Sequence, residues 1–229
     1  MKGMVYGVGV GPGDPEDMTL KAVRLIRDNE VIALPGKEPK ETVAYRIAVQ
    51  AVPELADKML MALDIPMLKD FDKLAVYHRE ACDRLEAILD SGRHVVYLTL
   101  GDPTLYCSFS YLQHILEEDG YEVKLVNGVS SVFAAAARLG EPLAEWGESV
   151  HILPQTYKKA VSLDQNGTCV LMKSCKYMDT VKAMLRESGR RVTAVENCGM
   201  PNEKVYRSLE EIPDDAGYYT LIIAKEARS

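Results

Sequence analysis

The sequence lacks the nucleotide-binding loops that its glycine-rich first turn would suggest. The stretch GVGVGPGDP at 7–15 holds four glycines and two prolines. Five residues after Gly7 and Gly9 stand Pro12 and Asp14, so the GxGxxG fingerprint of dinucleotide-binding folds is absent. No GxxxxGK[ST] phosphate loop occurs either. The turn therefore serves another ligand, or it is simply tight.

Metal-binding and disulfide patterns are missing as well. The five cysteines are odd in number, scattered and without a CxxC pair, which is neither a disulfide framework nor a zinc spacing. Reduced thiols in a cytoplasm are therefore expected, and no metal is predicted. The histidines without metal-ligand spacing are His78, His94, His114 and His151.

Long apolar runs and excess positive charge are also absent. Nowhere do eighteen apolar residues follow one another, so we expect no signal peptide or membrane span. The formal net charge of -7 argues against nonspecific binding to nucleic acid or to an anionic membrane. A small molecule is the expected partner of an intracellular, soluble protein.

What is present is an alternation of apolar runs and helical patterns, which predicts an α/β fold. A strand MVYGVGV precedes a helix from about Thr19, and VVYLTL at 95–100 precedes a helix from about Thr104. After residue 118 the strands lie closer together, which favours a second, more antiparallel α/β domain. We therefore predict two domains, 1–118 and 119–229.

Two glycine-acid-proline turns close strands of the first domain, at Gly13–Pro15 and Gly101–Pro103. Ligands gather at the carboxyl ends of strands in an open α/β sheet, so both turns are expected to face one crevice. Either turn alone has a structural explanation, because the sequence Gly-Asp-Pro is also a good turn and helix start.

An ordered set of motifs resembles the tetrapyrrole methylases, the class III S-adenosylmethionine-dependent methyltransferases, over almost the entire chain. Within that family, LGDPTLYCSFSYLQ from Leu100 is similar to the branch that methylates precorrin-2 or cobalt-factor II at carbon 20 in cobalamin (vitamin B12) biosynthesis. The motifs are GVGVGPGDP (7–15), GDPTLY (101–106), NGVSS (127–131), VLMK (170–173), ENCGMPNEKVY (196–206) and YYTLIIA (218–224).

The resemblance implies two α/β domains with the active site in the trough between them. S-adenosylmethionine is expected against main-chain groups, and the glycines at 7, 9, 11 and 13 would leave room for a flat macrocycle. Gly11, Gly13 and Asp14 are expected to line the substrate trough. The residues that the resemblance assigns to the cofactor are Pro12, Leu100, Gly101, Asp102, Leu105, Tyr106, Ser130, Ser131, Met172 and Cys198.

A polar end of the methyl-transfer site is expected from Asp102, Lys173 and one of Tyr218 and Tyr219. Asp102 is a candidate base, or it caps the following helix. Lys173 ends an apolar strand, so its ammonium should emerge where a substrate carboxylate can pair with it. Strand alternation should turn only one of the two tyrosines inward. Further cations for substrate carboxylates are Arg138, Lys158 and Lys176.

Several alternatives remain open. Ser130 and Ser131 have a second explanation as helix caps, and Met172 as ordinary core. The substrate could instead be uroporphyrinogen III, precorrin-4 or a diphthamide precursor, and a non-catalytic tetrapyrrole carrier would not bind the cofactor. An oxidoreductase would require NAD. A homodimer is expected, because family members pair and the segment NGVSSVFAAAARL offers an apolar face.

Overall fold

The computed structural model describes residues 2–68, 70–154 and 162–227. The chain divides into two compact units, residues 1–130 and 131–229. The division falls later than the predicted position near residue 118. The reason is that strand β5 (Glu122–Val126) pairs in parallel with strand β1 (Met4–Gly9), which ties it to the first sheet.

The first unit is an open, parallel sheet whose described strands run in the order β3-β2-β4-β1-β5. Because the strands are parallel, their carboxyl ends share one edge, which we call the first-sheet edge. The other strands are β2 (Val31–Pro35), β3 (Met59–Leu63) and β4 (Val95–Thr99), and the helices are α1 (Leu20–Asp28), α2 (Val43–Ala51), α3 (Phe71–Asp90) and α4 (Phe109–Glu118).

Helices cover both faces of this sheet. On one face, Val8 and Leu98 belong to a buried apolar cluster with residues of α1 and α2. On the other face, Val5 and Tyr97 join a cluster with residues of α3 and α4. The strands are therefore buried on both sides, as the continuous apolar runs of the sequence predict.

The helix starts agree with prediction at α1 and differ at α4. Thr19 caps α1, and its hydroxyl accepts a hydrogen bond from the Ala22 amide at 3.1 Å. Helix α4 begins at Phe109, not near Thr104. The left-handed backbone of Tyr106, with φ of 50°, interrupts any helix before that point.

The second unit has a mixed sheet in the order β6-β7-β10-β8-β9 over its described strands. β6 and β7 are parallel, whereas β10 is antiparallel to both β7 and β8. The prediction of a more antiparallel second domain is confirmed. Its elements are α5 (Ser131–Leu139), β6 (Val150–Pro154), β7 (Thr168–Met172), α6 (Met178–Glu187), β8 (Arg191–Glu196), β9 (Lys204–Tyr206) and β10 (Thr220–Lys225).

Packing of α6 against this sheet forms the core of the second unit. Leu171 of β7, Ala194 of β8 and Ile222 of β10 lie in one buried cluster with Val181 and Leu185 of α6. The α/β class expected from the sequence is confirmed in both units. Among the described residues, no helix has the length and apolar character needed to cross a bilayer.

Candidate functional site

The first-sheet edge holds three turns whose backbones nearly touch. Gly11 and Gly101 form an antiparallel bridge, in which each amide donates to the other carbonyl, at 3.3 and 2.8 Å. A β-carbon on Gly9 would lie 2.4 Å from the Gly101 oxygen, and one on Gly128 would lie 2.2 Å from the same atom. Only glycine fits at both positions. The two turns therefore lie side by side, and the expectation that they face one crevice stays a prediction.

Three of the four glycines in the opening stretch have distinct structural roles. A β-carbon on Gly7 would lie 2.2 Å from the Phe109 ring, so Gly7 makes room for α4. Gly9 makes room for neighbouring backbone, and Gly11 has a left-handed φ of 80°. Gly7 and Gly9 therefore serve internal packing, and the expectation that they keep a floor low for a macrocycle has no support at these two positions.

Gly101 differs from Gly9, because a β-carbon placed on it meets no heavy atom within 4 Å. Its φ of 69° requires glycine for conformation rather than for space. Gly101 is buried, and its amide and carbonyl are both bonded to Gly11, so its assignment to the cofactor stays a prediction. Leu100 and Leu105 beside it are half-buried, and Tyr106 is exposed.

The predicted site residues of the opening turn are largely covered by the rest of the unit. Gly11, Pro12 and Gly13 are buried. Asp14 is half-buried, and its carboxylate accepts the Glu16 amide at 2.9 Å in a short turn. Assignment of these residues to a cofactor or a substrate trough stays a prediction.

Asp102 joins two of the turns through its carboxylate. One oxygen accepts the Thr104 amide at 2.8 Å and also the Thr104 hydroxyl. The other oxygen accepts the Asn127 side-chain amide and the Gly128 backbone amide, both at 3.1 Å. The side chain therefore fixes the turn after β4 against the turn after β5.

The electrostatics of Asp102 favour the ionised form. Burial alone would raise the pKa of Asp102, but the hydrogen bonds from Thr104, Asn127 and Gly128 outweigh it and hold the pKa below its ordinary value. A carboxylate with four donors is a weak base. The helix-cap alternative is wrong for α4, which begins seven residues later in the chain, at Phe109. The base role stays a prediction.

The second unit gathers its predicted site residues at one edge of its sheet, the second-sheet edge. β7 ends there at Met172, β8 ends there at Glu196, and the antiparallel β10 begins there at Thr220. Met172 is the last residue of β7, and Lys173 comes directly after it. Cys198 lies two residues after the end of β8. Met172, Lys173 and Cys198 are all half-buried.

The two tyrosines precede β10 and are not part of it, because the strand begins at Thr220. The prediction from strand alternation is therefore wrong, since alternation does not govern residues outside the strand. Tyr218 and Tyr219 are 37% and 41% exposed, and their rings meet edge to face at 5.3 Å between centroids. Both rings remain accessible at the second-sheet edge.

The predicted cations have different surroundings. Lys173 emerges directly after β7 with a left-handed φ of 60°. Arg138 is committed to an ion pair, with its Nε 2.9 Å from Glu203, which also accepts the Gly199 amide at 2.7 Å. Lys176 is exposed. Lys158 lies outside the described residues.

Glu196 is a residue that the sequence reasoning missed. It is buried at the end of β8, where it accepts the Tyr206 hydroxyl at 2.7 Å and the Gly217 amide at 2.9 Å. Burial would raise the pKa of Glu196, but Tyr206, Gly217 and nearby Lys204 outweigh it and lower the pKa. The signal was present in the motif ENCGMPNEKVY, where an acid follows the apolar run RVTAV.

The serines stand where the units divide. Ser130 is buried at the end of the first unit, and Ser131 begins α5. Within the described ranges, no group of three or more histidine, cysteine or acidic side chains could hold a metal ion.

The family model for Tetrapyrrole (Corrin/Porphyrin) Methylases matches residues 4–213. The chain belongs to this family. The recognition from motifs is thereby confirmed, together with the enzyme class, an S-adenosylmethionine-dependent C-methyltransferase.

Individual tetrapyrrole methylases match along their whole length. A probable cobalt-precorrin-2 C(20)-methyltransferase of Methanocaldococcus jannaschii is 37% identical over 225 residues, which cover 96% of this chain and 95% of the relative. A precorrin-2 C(20)-methyltransferase of Sinorhizobium sp is 27% identical, with 96% and 94% covered. The fold also matches a uroporphyrin-III C-methyltransferase of Thermus thermophilus complexed with S-adenosyl homocysteine, at a TM-score of 0.70 and 24% identity, with 98% of each chain covered.

We expect the Asp102→Asn variant of this tetrapyrrole methylase to lose about 1–3 kcal/mol of unfolding free energy at pH 7, because the amide replaces one acceptor oxygen with a donor. The loss should be measurable by urea denaturation. Since folding lowers the pKa of Asp102, its stabilisation is present above the unfolded pKa of about 3.9 and fades as the pH falls through the folded value.

The difference between wild type and variant should therefore stay constant from pH 7 to about 5 and shrink at lower pH, as the wild-type carboxylate becomes protonated. Asp57→Asn, at an exposed aspartate of the same unit, is the matched control and should behave as wild type. A loss that is equal at every pH would contradict the argument from ionisation.

Proposed function

We propose that the protein transfers the methyl group of S-adenosylmethionine to carbon 20 of precorrin-2 or of its cobalt form, in cobalamin biosynthesis. The observation that carries the proposal is the 37% identity, over nearly all of both chains, to a relative named for this reaction with the cobalt substrate. The motif LGDPTLYCSF supports the same branch of the family.

The chemistry needs positioning more than acid or base. The nucleophilic carbon 20 forms a bond to the sulfonium methyl carbon, the sulfur–methyl bond breaks with its electron pair left on sulfur, and the carbon then releases a proton. Alignment of the two reactants supplies most of the acceleration in such a displacement. The rigid turns of the first-sheet edge suit this demand.

We assign the cofactor contacts to the residues that the family resemblance names. Gly101 belongs to this set, and the hydroxyls of Ser130 and Ser131 are suited to the cofactor's carboxylate and amine. Met172 and Cys198 would contact the adenosine side. Asp102, with its four donors, would hold the turn in place and would not take the proton.

Substrate carboxylates require cations, and Lys173 is the best placed of those predicted. It emerges at the second-sheet edge beside Met172, directly after strand β7. Charge pairing of this kind orients a polyanionic substrate. We therefore assign Lys173, with Tyr218 or Tyr219, to the macrocycle.

The deciding experiment incubates the protein with labelled S-adenosylmethionine and, separately, cobalt-precorrin-2, metal-free precorrin-2, precorrin-4 and uroporphyrinogen III. We expect label in the two precorrin-2 forms, with the cobalt form faster. Calorimetry with S-adenosyl homocysteine should show binding. Binding of the macrocycle without binding of the cofactor would instead identify a carrier, and transfer to uroporphyrinogen III alone would move the enzyme to another branch.

For Lys173→Met we expect turnover to fall about tenfold or more, which corresponds to about 1.4 kcal/mol, with cofactor affinity nearly unchanged. Methionine keeps the length of the stem and removes the charge. Steady-state kinetics and calorimetry measure the two effects. Lys124→Met, at an exposed lysine within strand β5, serves as the control. A parallel loss of cofactor binding would instead assign Lys173 to the cofactor.

We also propose a homodimer, formed through the apolar surface of the second unit. Helix α5 and edge strand β6 line a groove of about 710 Å³ with Phe133, Ala136, Val150 and Ile152 among its lining residues. Phe133 is 64% exposed. An exposed apolar groove beside an outermost strand such as β6 suits burial against a second copy of the chain.

We therefore expect Phe133→Glu to convert a dimer to a monomer in light scattering at micromolar concentration, because the charge would lose its hydration at the interface. Phe71→Glu, at a phenylalanine of the first unit that is 65% exposed, is the matched control and should remain dimeric. A monomeric wild type would refute the dimer alone.

We expect the enzyme in the cytoplasm, where its cysteines stay reduced.

A further inference from the structure

Glu196 sits where three segments of the second unit converge. It ends β8, its carboxylate accepts the Tyr206 hydroxyl of β9 at 2.7 Å, and it accepts the Gly217 amide of the segment before β10 at 2.9 Å. Lys204 approaches the same carboxylate at 3.7 Å. Only 9% of the side chain is exposed. Both short contacts use a carboxylate oxygen of Glu196 as the acceptor.

The approach of Gly217 to Glu196 is closer than another residue would permit. A β-carbon on Gly217 would lie 2.6 Å from a carboxylate oxygen of Glu196. Burial and the neighbouring carboxylate raise the pKa of Tyr206 to about 12, so its phenol remains a donor over the physiological range. At neutral pH the Tyr206 hydroxyl and the Gly217 amide therefore both donate to the Glu196 carboxylate.

The two segments that Glu196 joins carry the candidate ligand contacts of this edge. Directly after Glu196 come Asn197, with a left-handed φ of 53°, and then Cys198. Directly after Gly217 come Tyr218 and Tyr219, and the Tyr219 carbonyl accepts the Asn197 amide at 3.2 Å. The spacing between Cys198 and the tyrosines therefore depends on how Glu196 holds Gly217.

We propose that Glu196 is a positioning residue for cofactor binding, because it sets the distance between the Cys198 segment and the Tyr218–Tyr219 segment. The inference rests on the proposed function, in which the Cys198 segment contacts S-adenosylmethionine and the tyrosine segment contacts the macrocycle. The carboxylate does not touch the ligand and acts through the two backbones that it joins.

The test measures the dissociation constant for S-adenosyl homocysteine by calorimetry on the full chain, with thermal unfolding in parallel. We expect Glu196→Ala to raise that constant about tenfold or more, as loss of an acceptor to a buried amide would. Glu196→Gln keeps a carbonyl for the Gly217 amide, and its amide group can donate to Tyr206. It should therefore restore affinity to within about threefold of wild type.

Two further variants guard against failure to fold. Tyr206→Phe removes one of the two short contacts, and Gly217→Ala displaces the carboxylate by steric contact. Both should weaken cofactor binding, and both should also raise the KM for the tetrapyrrole, because the tyrosines assigned to the macrocycle follow Gly217 directly. Glu210→Gln, at an exposed glutamate of the same unit, is the control and should bind as wild type.

A lower melting temperature with unchanged affinity in all three disruptive variants would overturn the inference and leave Glu196 a stabilising residue only. Equal weakening by Glu196→Gln and Glu196→Ala would overturn it as well, because the retained acceptor would then have no effect. Absence of binding by the wild-type protein would refute the proposed function itself, which keeps the two failures distinct.

Discussion

The close approach of three backbones at the first-sheet edge is the constraint on which this site depends. β-Carbons on Gly9 and Gly128 would lie only 2.4 and 2.2 Å from the Gly101 carbonyl oxygen. The ends of β4, β1 and β5 can meet there only because two positions carry no side chain. The question raised by the glycine-rich opening is thereby answered in part, because Gly7 and Gly9 are needed for packing within the unit.

Asp102 completes that arrangement by joining backbone and side-chain donors from two turns. Four donors on one carboxylate lower its pKa and reduce its value as a base. This agrees with the demands of methyl transfer from a sulfonium, in which alignment contributes more than proton transfer. A residue that looks catalytic by type is therefore better understood by the hydrogen bonds that already occupy it.

The sequence predicted the features that depend on local patterns. Apolar runs identified the strands, Thr19 marked the start of α1, and the ordered motifs identified the family. It failed where an unusual backbone conformation or the pairing of distant segments determines the structure. The start of α4 depends on the left-handed Tyr106, and the pairing of β5 with β1 carries the first unit past residue 118. The role of Glu196 required the positions of Tyr206 and Gly217, which no spacing along the chain reveals.

The two sheet edges are built by different means, and the difference has consequences for variation. The first-sheet edge consists mainly of backbone, held by glycines that a β-carbon would displace and by one aspartate. The second-sheet edge carries the side chains of Lys173, Cys198 and the two tyrosines, and the contact between Glu196 and Gly217 joins the segments of Cys198 and the tyrosines. A backbone framework keeps its geometry whatever side chains surround it, provided that the glycines remain, so substitution at Gly9 or Gly128 should be poorly tolerated. A side-chain surface can change by substitution without loss of the turn geometry, so differences in specificity between related methylases are more easily accommodated there.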